Sequence, residues 1–312
     1  MNESKRIATR ESYGNALKAL GEKYSDVVVL DADLASATRT SRFRDAFPER
    51  FMDCGIAEAN MMGVAAGLAT MGLVPFVSSF AMFASGRAYE QIRNSIGYPK
   101  LNVKICATHG GVSVGEDGAT HQCNEDFALM RTIPGMVVMC PSDDVEARFM
   151  VEAAYKHKGP VYIRFGRAYS PVFHNENMNF EIGKGEVICK GSNVAIIANG
   201  VLTYEAIKAA EILKSKNVSA MVINMPTIKP LDTELLLQAG KICGRIIIAE
   251  EHSIIGGLGE AVSSFMGENY PCKLKRIGVN DIYGHSGACD ILLQEYGLCC
   301  ENIINEVMEL IK

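Results

Sequence analysis

The stretch NVKICATHGGVSVGEDGATHQ, from Asn102 to Gln122, decides the fold, because an apolar run passes directly into a glycine-rich loop. The apolar run predicts a buried strand. The loop carries His109, Asp117 and His121 but no lysine or arginine, so it lacks the cations of a phosphate cradle. Ligands of parallel α/β sheets collect at the carboxyl ends of the strands. The stretch therefore predicts either a ligand-binding loop at such an edge or a solvated connection, in which Asp and Gly are common.

Short β-rich runs alternate with longer amphipathic runs along the rest of the chain. Strands are predicted at residues 26–33, 73–80, 102–110, 136–142, 160–167, 193–200, 219–225, 245–251 and 273–279. Helices are predicted at residues 8–24, 58–72, 86–98, 143–157, 202–216, 232–241, 256–268 and 300–312. Apolar strands separated by helices are typical of a parallel sheet covered on both faces. The pattern lapses after about residue 168, so we predict an α/β fold with domains at 1–170 and 189–312 and a linker at 171–188.

The composition excludes several classes of protein. The formal net charge of −5 argues against a nucleic-acid or anionic-membrane surface, which needs clustered Lys and Arg. Neither a secretion signal nor a run of eighteen apolar residues is visible, so we expect a cytoplasmic protein without a membrane span. The ten cysteines form no C-x-x-C pair, which favours reduced thiols over disulfides or zinc.

Two further stretches supply candidate site residues. Glu58, in CGIAEANMMGVAAG, lies in the first turn of its predicted helix, where the macrodipole stabilises a carboxylate by roughly 0.3–1 kcal/mol. That position alone favours a structural role, whereas a place at the edge of a dry interface would make Glu58 a strong acid–base group. FVSSFAMFASG supplies Phe80 and Phe83, which form either plain core or a platform for a flat heterocycle.

Taken together, four stretches resemble the second half of a transketolase: GIAEANM, FVSSFAMFASGRAYEQIR, ATHGGVSVGEDGATHQ and EEHSIIGGLGE. The resemblance covers essentially the whole chain, and GEDGATHQ is its most specific part. It implies the parallel-sheet pyrimidine-binding domain of thiamin-diphosphate enzymes, followed by a smaller, Rossmann-like transketolase C-terminal domain. In this family thiamin diphosphate is held between two domains on different chains or subunits.

The resemblance also implies roles for single residues. Glu58 would hydrogen-bond the N1′ nitrogen of the aminopyrimidine, while Phe80 stacks on that ring with Phe83 beside it. Asp33, in DADLAS, matches an acid at the cofactor end of the first strand. Asp117 and His121 would contact the hydroxyls of the sugar donor, and His121 would assist proton movement.

A substrate phosphate would meet three cationic or imidazole groups: Arg10, His109 and one arginine of YIRFGR, for which Arg167 is favoured over Arg164. Ala37 departs from the family pattern, because transketolases often offer a serine to the phosphate at this position. The natural substrate therefore need not be a standard pentose phosphate.

A second departure concerns the cofactor's diphosphate. The family binds it through a divalent cation held by a GDG…N motif, and no GDG occurs in this chain. We therefore expect the C-terminal subunit of a split transketolase, which transfers a two-carbon ketol unit from a ketose or ketose-phosphate donor to an aldose. A separate N-terminal subunit would hold the diphosphate and most of the Mg²⁺ or Ca²⁺ coordination, in an assembly of two chains of each kind.

Three alternatives stay open. Two use the same cofactor: the β subunit of a 2-oxoacid dehydrogenase and a fragment of a deoxyxylulose-phosphate synthase. The GEDGATHQ string disfavours both of them. The third is a non-catalytic α/β partner protein, and Glu58, Phe80, Asp117 and His121 together count against it.

Overall fold

The computed structural model describes residues 5–312 and confirms an α/β fold built from two sheet-centred halves. The strands of the described residues are β1 (Arg6–Ala8), β2 (Val27–Asp31), β3 (Phe51–Asp53), β4 (Val74–Ser78), β5 (Lys104–Thr108), β6 (Val137–Met139), β7 (Val161–Phe165), β8 (Tyr169–Pro171), β9 (Glu186–Cys189), β10 (Val194–Ala198), β11 (Ala220–Asn224), β12 (Thr227–Lys229), β13 (Arg245–Ser253) and β14 (Lys273–Val279). The helices are α1 (Thr9–Lys23), α2 (Ala35–Thr38), α3 (Ser41–Ala46), α4 (Glu58–Thr70), α5 (Tyr89–Gln91), α6 (Asp126–Arg131), α7 (Asp144–Lys156), α8 (Val201–Ser215), α9 (Thr233–Cys243), α10 (Leu258–Asn269), α11 (Cys289–Glu295) and α12 (Cys300–Leu310).

The first half is built on a seven-stranded sheet in the order β12-β6-β7-β5-β4-β2-β3. Its strands run parallel except β12, which pairs antiparallel with β6. Every residue of β2, β4, β5 and β7 is buried, because helices cover both faces of the sheet. The carboxyl ends of these four strands therefore meet at one edge, and the loop after β5 starts there.

The second half is built on a five-stranded sheet in the order β14-β13-β10-β11-β9. Strands β10, β11, β13 and β14 are parallel, and β9 joins the edge antiparallel to β11. A small antiparallel pair, β1 with β8, closes the start of the described chain against the end of the first half. The predicted domain boundaries remain predictions, and β9 begins inside the stretch proposed as a linker.

Several short elements escaped sequence analysis. The structure adds β1, β3, β8, β9 and β12 and the helices α2, α3, α6 and α11, all of which are too short to show a clear period. The helix predicted at 86–98 instead starts near Met82, and π-helical turns at Met82–Arg87 and Ile92–Gly97 flank α5. Single π turns inside helices are frequent at functional sites, and here they follow the aromatic stretch.

Two global features bear on the expected environment of the chain. No helix within residues 5–312 combines the length and the apolar character needed to cross a membrane. All ten cysteines are free thiols in the structure, and five of them are buried.

Candidate functional site

Four rings form a cluster at the carboxyl edge of the first sheet. Phe80, which follows β4, stacks on His109, which follows β5, with ring centroids 3.9 Å apart. Phe83 lies nearly parallel to Phe80 at 6.0 Å, and His121 packs edge-on against Phe83 at 5.2 Å. Backbone pairing explains the juxtaposition, because Thr108 N–H donates to the Ser79 carbonyl at 3.1 Å and extends the β4–β5 ladder beyond the strands. The structure thus brings four of the predicted site residues together.

Glu58 begins α4 and is 1% exposed. Its Oε2 pairs with the Arg87 Nη1 at 2.8 Å, and its Oε1 accepts a long hydrogen bond from the Ser79 hydroxyl at 3.4 Å. The Arg87 guanidinium also lies 4.7 Å from the centroid of Phe83, so it joins the carboxylate to the ring cluster. Arg87 is half exposed, which makes this the solvent side of the carboxylate. Sequence analysis missed Ser79 and Arg87, although both lie in the quoted FVSSFAMFASGRAYEQIR stretch.

His109 is buried and adopts a left-handed backbone conformation, with φ of 59°. Burial, aided by the nearby Arg10 and Arg167, lowers the pKa of His109 to about 3. The imidazole is therefore neutral near pH 7. Arg10 Nη1 donates to His109 Nε2 at 2.9 Å, which assigns the ring proton to Nδ1, 2.7 Å from the Thr108 hydroxyl oxygen.

The three candidate arginines lie in different environments. Arg164 is buried in an ion pair with Asp126, and its Nη1 donates to the Glu251 carbonyl. Arg10 and Arg167 instead line a cavity of about 700 Å³ between the two halves of the chain. Burial lowers the pKa of Arg10, although the group stays charged at neutral pH. This geometry favours Arg167 over Arg164 as a ligand-facing residue.

The two predicted aspartates lie outside the ring cluster. Asp117 is exposed and ends a 3₁₀ turn at Val112–Asp117. Asp33 is exposed with φ of 61°, and its N–H donates to Asp53 Oδ1 at 3.2 Å. Within residues 5–312, no hydrogen bond or ion pair joins Asp33 to the cluster.

A buried carboxylate, Asp31, stands at the end of β2 and was missed by sequence analysis. Its Oδ2 accepts from the hydroxyls of Thr38 and Thr40 at 2.7 and 2.8 Å, and its Oδ1 from the Leu34 N–H. Burial raises the pKa of Asp31 to about 6, against the lowering effect of these hydrogen bonds. The side chain holds the loop after β2 in place, and the DAD motif could have drawn attention to it.

Comparison with known proteins gives the family. Residues 5–171 match the family model "Transketolase, pyrimidine binding domain", and residues 183–303 match "Transketolase, C-terminal domain". The chain belongs to the transketolase family. The predicted family resemblance is therefore confirmed, and so is the succession of a pyrimidine-binding domain and a transketolase C-terminal domain.

The relatives of this transketolase-family chain include proteins of the same extent. It is 49% identical over 306 residues to a putative transketolase C-terminal section from Methanocaldococcus jannaschii, covering 97% of this chain and 96% of the relative. It is 41% identical to a 6-deoxy-6-sulfo-D-fructose transketolase subunit from a Clostridium species, strain MSTE9, covering 96% and 93%. Among solved structures, the "split gene transketolase, inactive beta4 tetramer" superposes with a TM-score of 0.92 at 48% identity over 98% of both chains. The chain thus corresponds to the C-terminal section of a split transketolase.

Proposed function

We propose that this chain is the C-terminal subunit of a thiamin-diphosphate-dependent transketolase, active only with a separate diphosphate-binding subunit. In this proposal the complex moves a two-carbon ketol unit from a ketose or ketose-phosphate donor to an aldose acceptor. The observation that supports it best is the stacked pair Phe80 and Phe83 at the sheet edge, with the Glu58 carboxylate joined to it through Arg87.

The residues present fit the ring portion of the cofactor. The Phe80 and Phe83 rings are nearly parallel, inclined by 19°, and Phe83, which is only half buried, is the more accessible of the two, since Phe80 is buried against His109. Glu58 is the acid that would hydrogen-bond the ring nitrogen, a contact for which Arg87 has to release one oxygen. Because Glu58 is 1% exposed, its carboxylate needs a partner when Arg87 leaves, and the ring nitrogen would take that place. When bound, thiamin diphosphate supplies the electron sink for cleavage of a carbon–carbon bond, which side chains cannot provide.

The chain's own residues would then bind the sugar and move protons. In the proposal, His121 at the rim of the ring cluster would exchange a proton with a donor hydroxyl, and the exposed Asp117 would accept hydrogen bonds from sugar hydroxyls. The neutral His109 would contribute a hydrogen-bonding nitrogen, while Arg10 and Arg167 would contribute positive charge toward a phosphate. Asp33, which follows β2, would contact the cofactor at the carboxyl end of that strand.

The remaining part of the site is proposed to come from the partner. Within residues 5–312 no group of three or more His, Cys, Asp or Glu side chains is arranged to hold a metal ion. In the proposal, the diphosphate and its Mg²⁺ or Ca²⁺ are bound mainly by the N-terminal subunit. The assembly is a cytoplasmic heterotetramer of two chains of each kind.

For the sugar donor we propose a chemical class, a ketose with an anionic end. The Clostridium relative is named for a sulfonated ketose, and a 37% identical relative from Phocaeicola vulgatus is named as part of an apulose-4-phosphate transketolase. In this chain Arg10 Nη1 donates to the Ala37 carbonyl at 3.2 Å, at the position where a serine hydroxyl is often found in the family. The backbone contact does not depend on the side chain, and it is the missing hydroxyl at Ala37 that supports a donor whose anionic end is recognised differently from that of a pentose phosphate.

Reconstitution tests the proposal. The chain is co-purified with a polypeptide that carries the family's diphosphate-binding domain, and ketol transfer is followed with a panel of ketose phosphates and sulfonated ketoses. We expect transfer only when both chains, thiamin diphosphate and Mg²⁺ are present. By calorimetry, the chain alone is expected to bind the cofactor weakly. Tight, metal-dependent cofactor binding by the isolated chain would contradict the shared site.

A further inference from the structure

Building on the proposed function, we propose that Glu251, in β13 of the second half, is a positioning residue for the substrate loop, defined as residues 108–122. The proposal gives the C-terminal domain a task in the reaction, although none of its residues belongs to the ring cluster. Glu251 would act through the loop backbone rather than by contact with the substrate.

The first contact fixes the start of the loop. Glu251 Oε1 accepts from the Ser113 N–H at 2.6 Å, and the residue is only 7% exposed. Gly111 packs directly on this carboxylate, since a Cβ there would lie 2.3 Å from Oε1. Its φ of 80° also suits only glycine. The close approach of backbone and carboxylate therefore explains why glycine stands two residues after His109.

The second contact fixes the end of the loop. The Gln122 side-chain amide lies within hydrogen-bond distance of three carbonyls, those of Val112 and Gly115 at 3.2 Å and of His285 at 2.9 Å. Gly284 packs against the same side chain, because a Cβ there would lie 1.8 Å from the Gln122 oxygen. The second half of the molecule thus supports the loop at both ends.

Glu251 itself is held in place from the first half. Arg164 donates to the Glu251 carbonyl and pairs with Asp126, whose Oδ2 also accepts from the Tyr162 hydroxyl at 2.7 Å. All three partners are buried, so the end of β13 is rigidly tied to β7 and α6. A hydrogen bond to a charged acceptor is about twice as strong as a neutral one, which suits Glu251 for fixing a loop.

The loop carries His109, Asp117 and His121, for which small errors of position are costly. Losing one hydrogen bond to the sugar from a displaced side chain weakens donor binding roughly tenfold. Releasing Ser113 would free the Val112–Asp117 turn while leaving the Phe80–Phe83 pair in place. The expected defect therefore concerns the sugar and spares the cofactor.

Hydrogen–deuterium exchange on the chain alone tests the contact without any assay of activity. We expect the Ser113 amide to exchange about tenfold faster in Glu251→Ala, with a smaller increase in Glu251→Gln, which retains an acceptor oxygen. Glu250→Gln is the matched control, because the neighbouring buried Glu250 accepts instead from Leu258 and Gly259 N–H groups at 2.7 Å. Unchanged exchange across residues 108–122 in both Glu251 variants would overturn the proposal.

Kinetics with the reconstituted complex test the consequence. For Glu251→Gln we expect KM for the sugar donor to rise about tenfold, with half-saturation by thiamin diphosphate changed less than twofold. A merely structural role would instead lower the active fraction at unchanged KM, and that result would also overturn the proposal. If the wild-type complex shows no ketol transfer, the proposed function fails, whereas the exchange measurement still decides whether Glu251 holds the loop.

Discussion

Replacing Glu58 with glutamine keeps the size of the side chain and removes its charge, so it separates catalysis from packing. The proposed role requires the carboxylate to hold a proton-exchanging ring nitrogen of the cofactor. A glutamine can donate or accept there, but it cannot take up the proton. Loss of a positioned acid–base group reduces the rate by about 10²–10⁴-fold. We therefore expect turnover of Glu58→Gln in the complex to fall into that range.

The same substitution should have a much smaller effect on the free energy of unfolding than on turnover. Glu58 is buried but its partner Arg87 is half exposed, so the arginine stays solvated after the substitution and loss of the pair costs about 0–1 kcal/mol. The place in the first turn of α4 contributes roughly 0.3–1 kcal/mol. The free energy of unfolding should therefore change by no more than about 2 kcal/mol. The loss of rate corresponds to about 2.7–5.4 kcal/mol of activation free energy, so the two effects can be told apart.

The assay compares ketol transfer by reconstituted complexes with urea unfolding of each chain alone. Glu90→Gln is the control, because Glu90 in α5 is an exposed acid that lies outside the ring cluster and makes no hydrogen bond or ion pair with Glu58 within residues 5–312. It should leave both measurements unchanged. A Glu58→Gln complex that retains more than about a tenth of wild-type turnover would refute the reasoning, since acid–base roles contribute at least about a hundredfold.

Outcomes are also expected for four further substitutions. Asp117→Ala should raise KM for hydroxylated donors about tenfold, and a loss of cofactor affinity in its place would show that the loop is wrongly assigned. Arg167→Ala should lower kcat/KM for phosphorylated donors about tenfold or more. Arg164→Ala should leave the buried Asp126 unpaired, and urea unfolding should show a free energy of unfolding lower by about 3–5 kcal/mol. The pKa of His109 is about 3 in the folded chain and about 6.5 in the unfolded chain. Between these values only the unfolded chain takes up a proton at this side chain. The free energy of unfolding therefore falls by about 1.4 kcal/mol per pH unit as the pH drops from 6.5 toward 3. The fall in unfolding free energy between pH 7 and 5 should therefore be about 2 kcal/mol smaller in His109→Asn, and equal falls would contradict the assignment.

The long elements and the neighbourhood of the rings could be predicted from the sequence. Strands such as β5 and β7 are mostly apolar apart from Lys104, Thr108 and Arg164, and they alternate with helical segments, so their place inside a parallel sheet could be predicted from the pattern. His109 follows one of these strands and Phe80 its neighbour, and this order is sufficient to place the two rings at one edge.

The unpredicted features depend on contacts between distant parts of the chain. From the sequence, Arg87 is predicted to lie on the surface of a helix. Only the fold brings it into contact with Glu58, which precedes it by 29 positions. Glu251 and Ser113 are separated by 138 positions, and no local period reports such a pair. Short strands such as β12 carry too few residues to show alternation, so their pairing is decided by the sheet edge they reach.

The placement of β12 has a consequence for dissecting this molecule. Thr227–Lys229 belongs to the second half by chain order, yet it completes the first sheet by covering the outer side of β6. Lys229 Nζ also donates to the Arg131 and Ile133 carbonyls at 2.7 Å. Cutting the chain between the halves would remove β12 and leave β6, which contains the buried Val138, as an unpaired apolar edge strand. Such an edge promotes aggregation. The two halves therefore share a sheet, and we do not expect either of them to fold stably as a separate fragment.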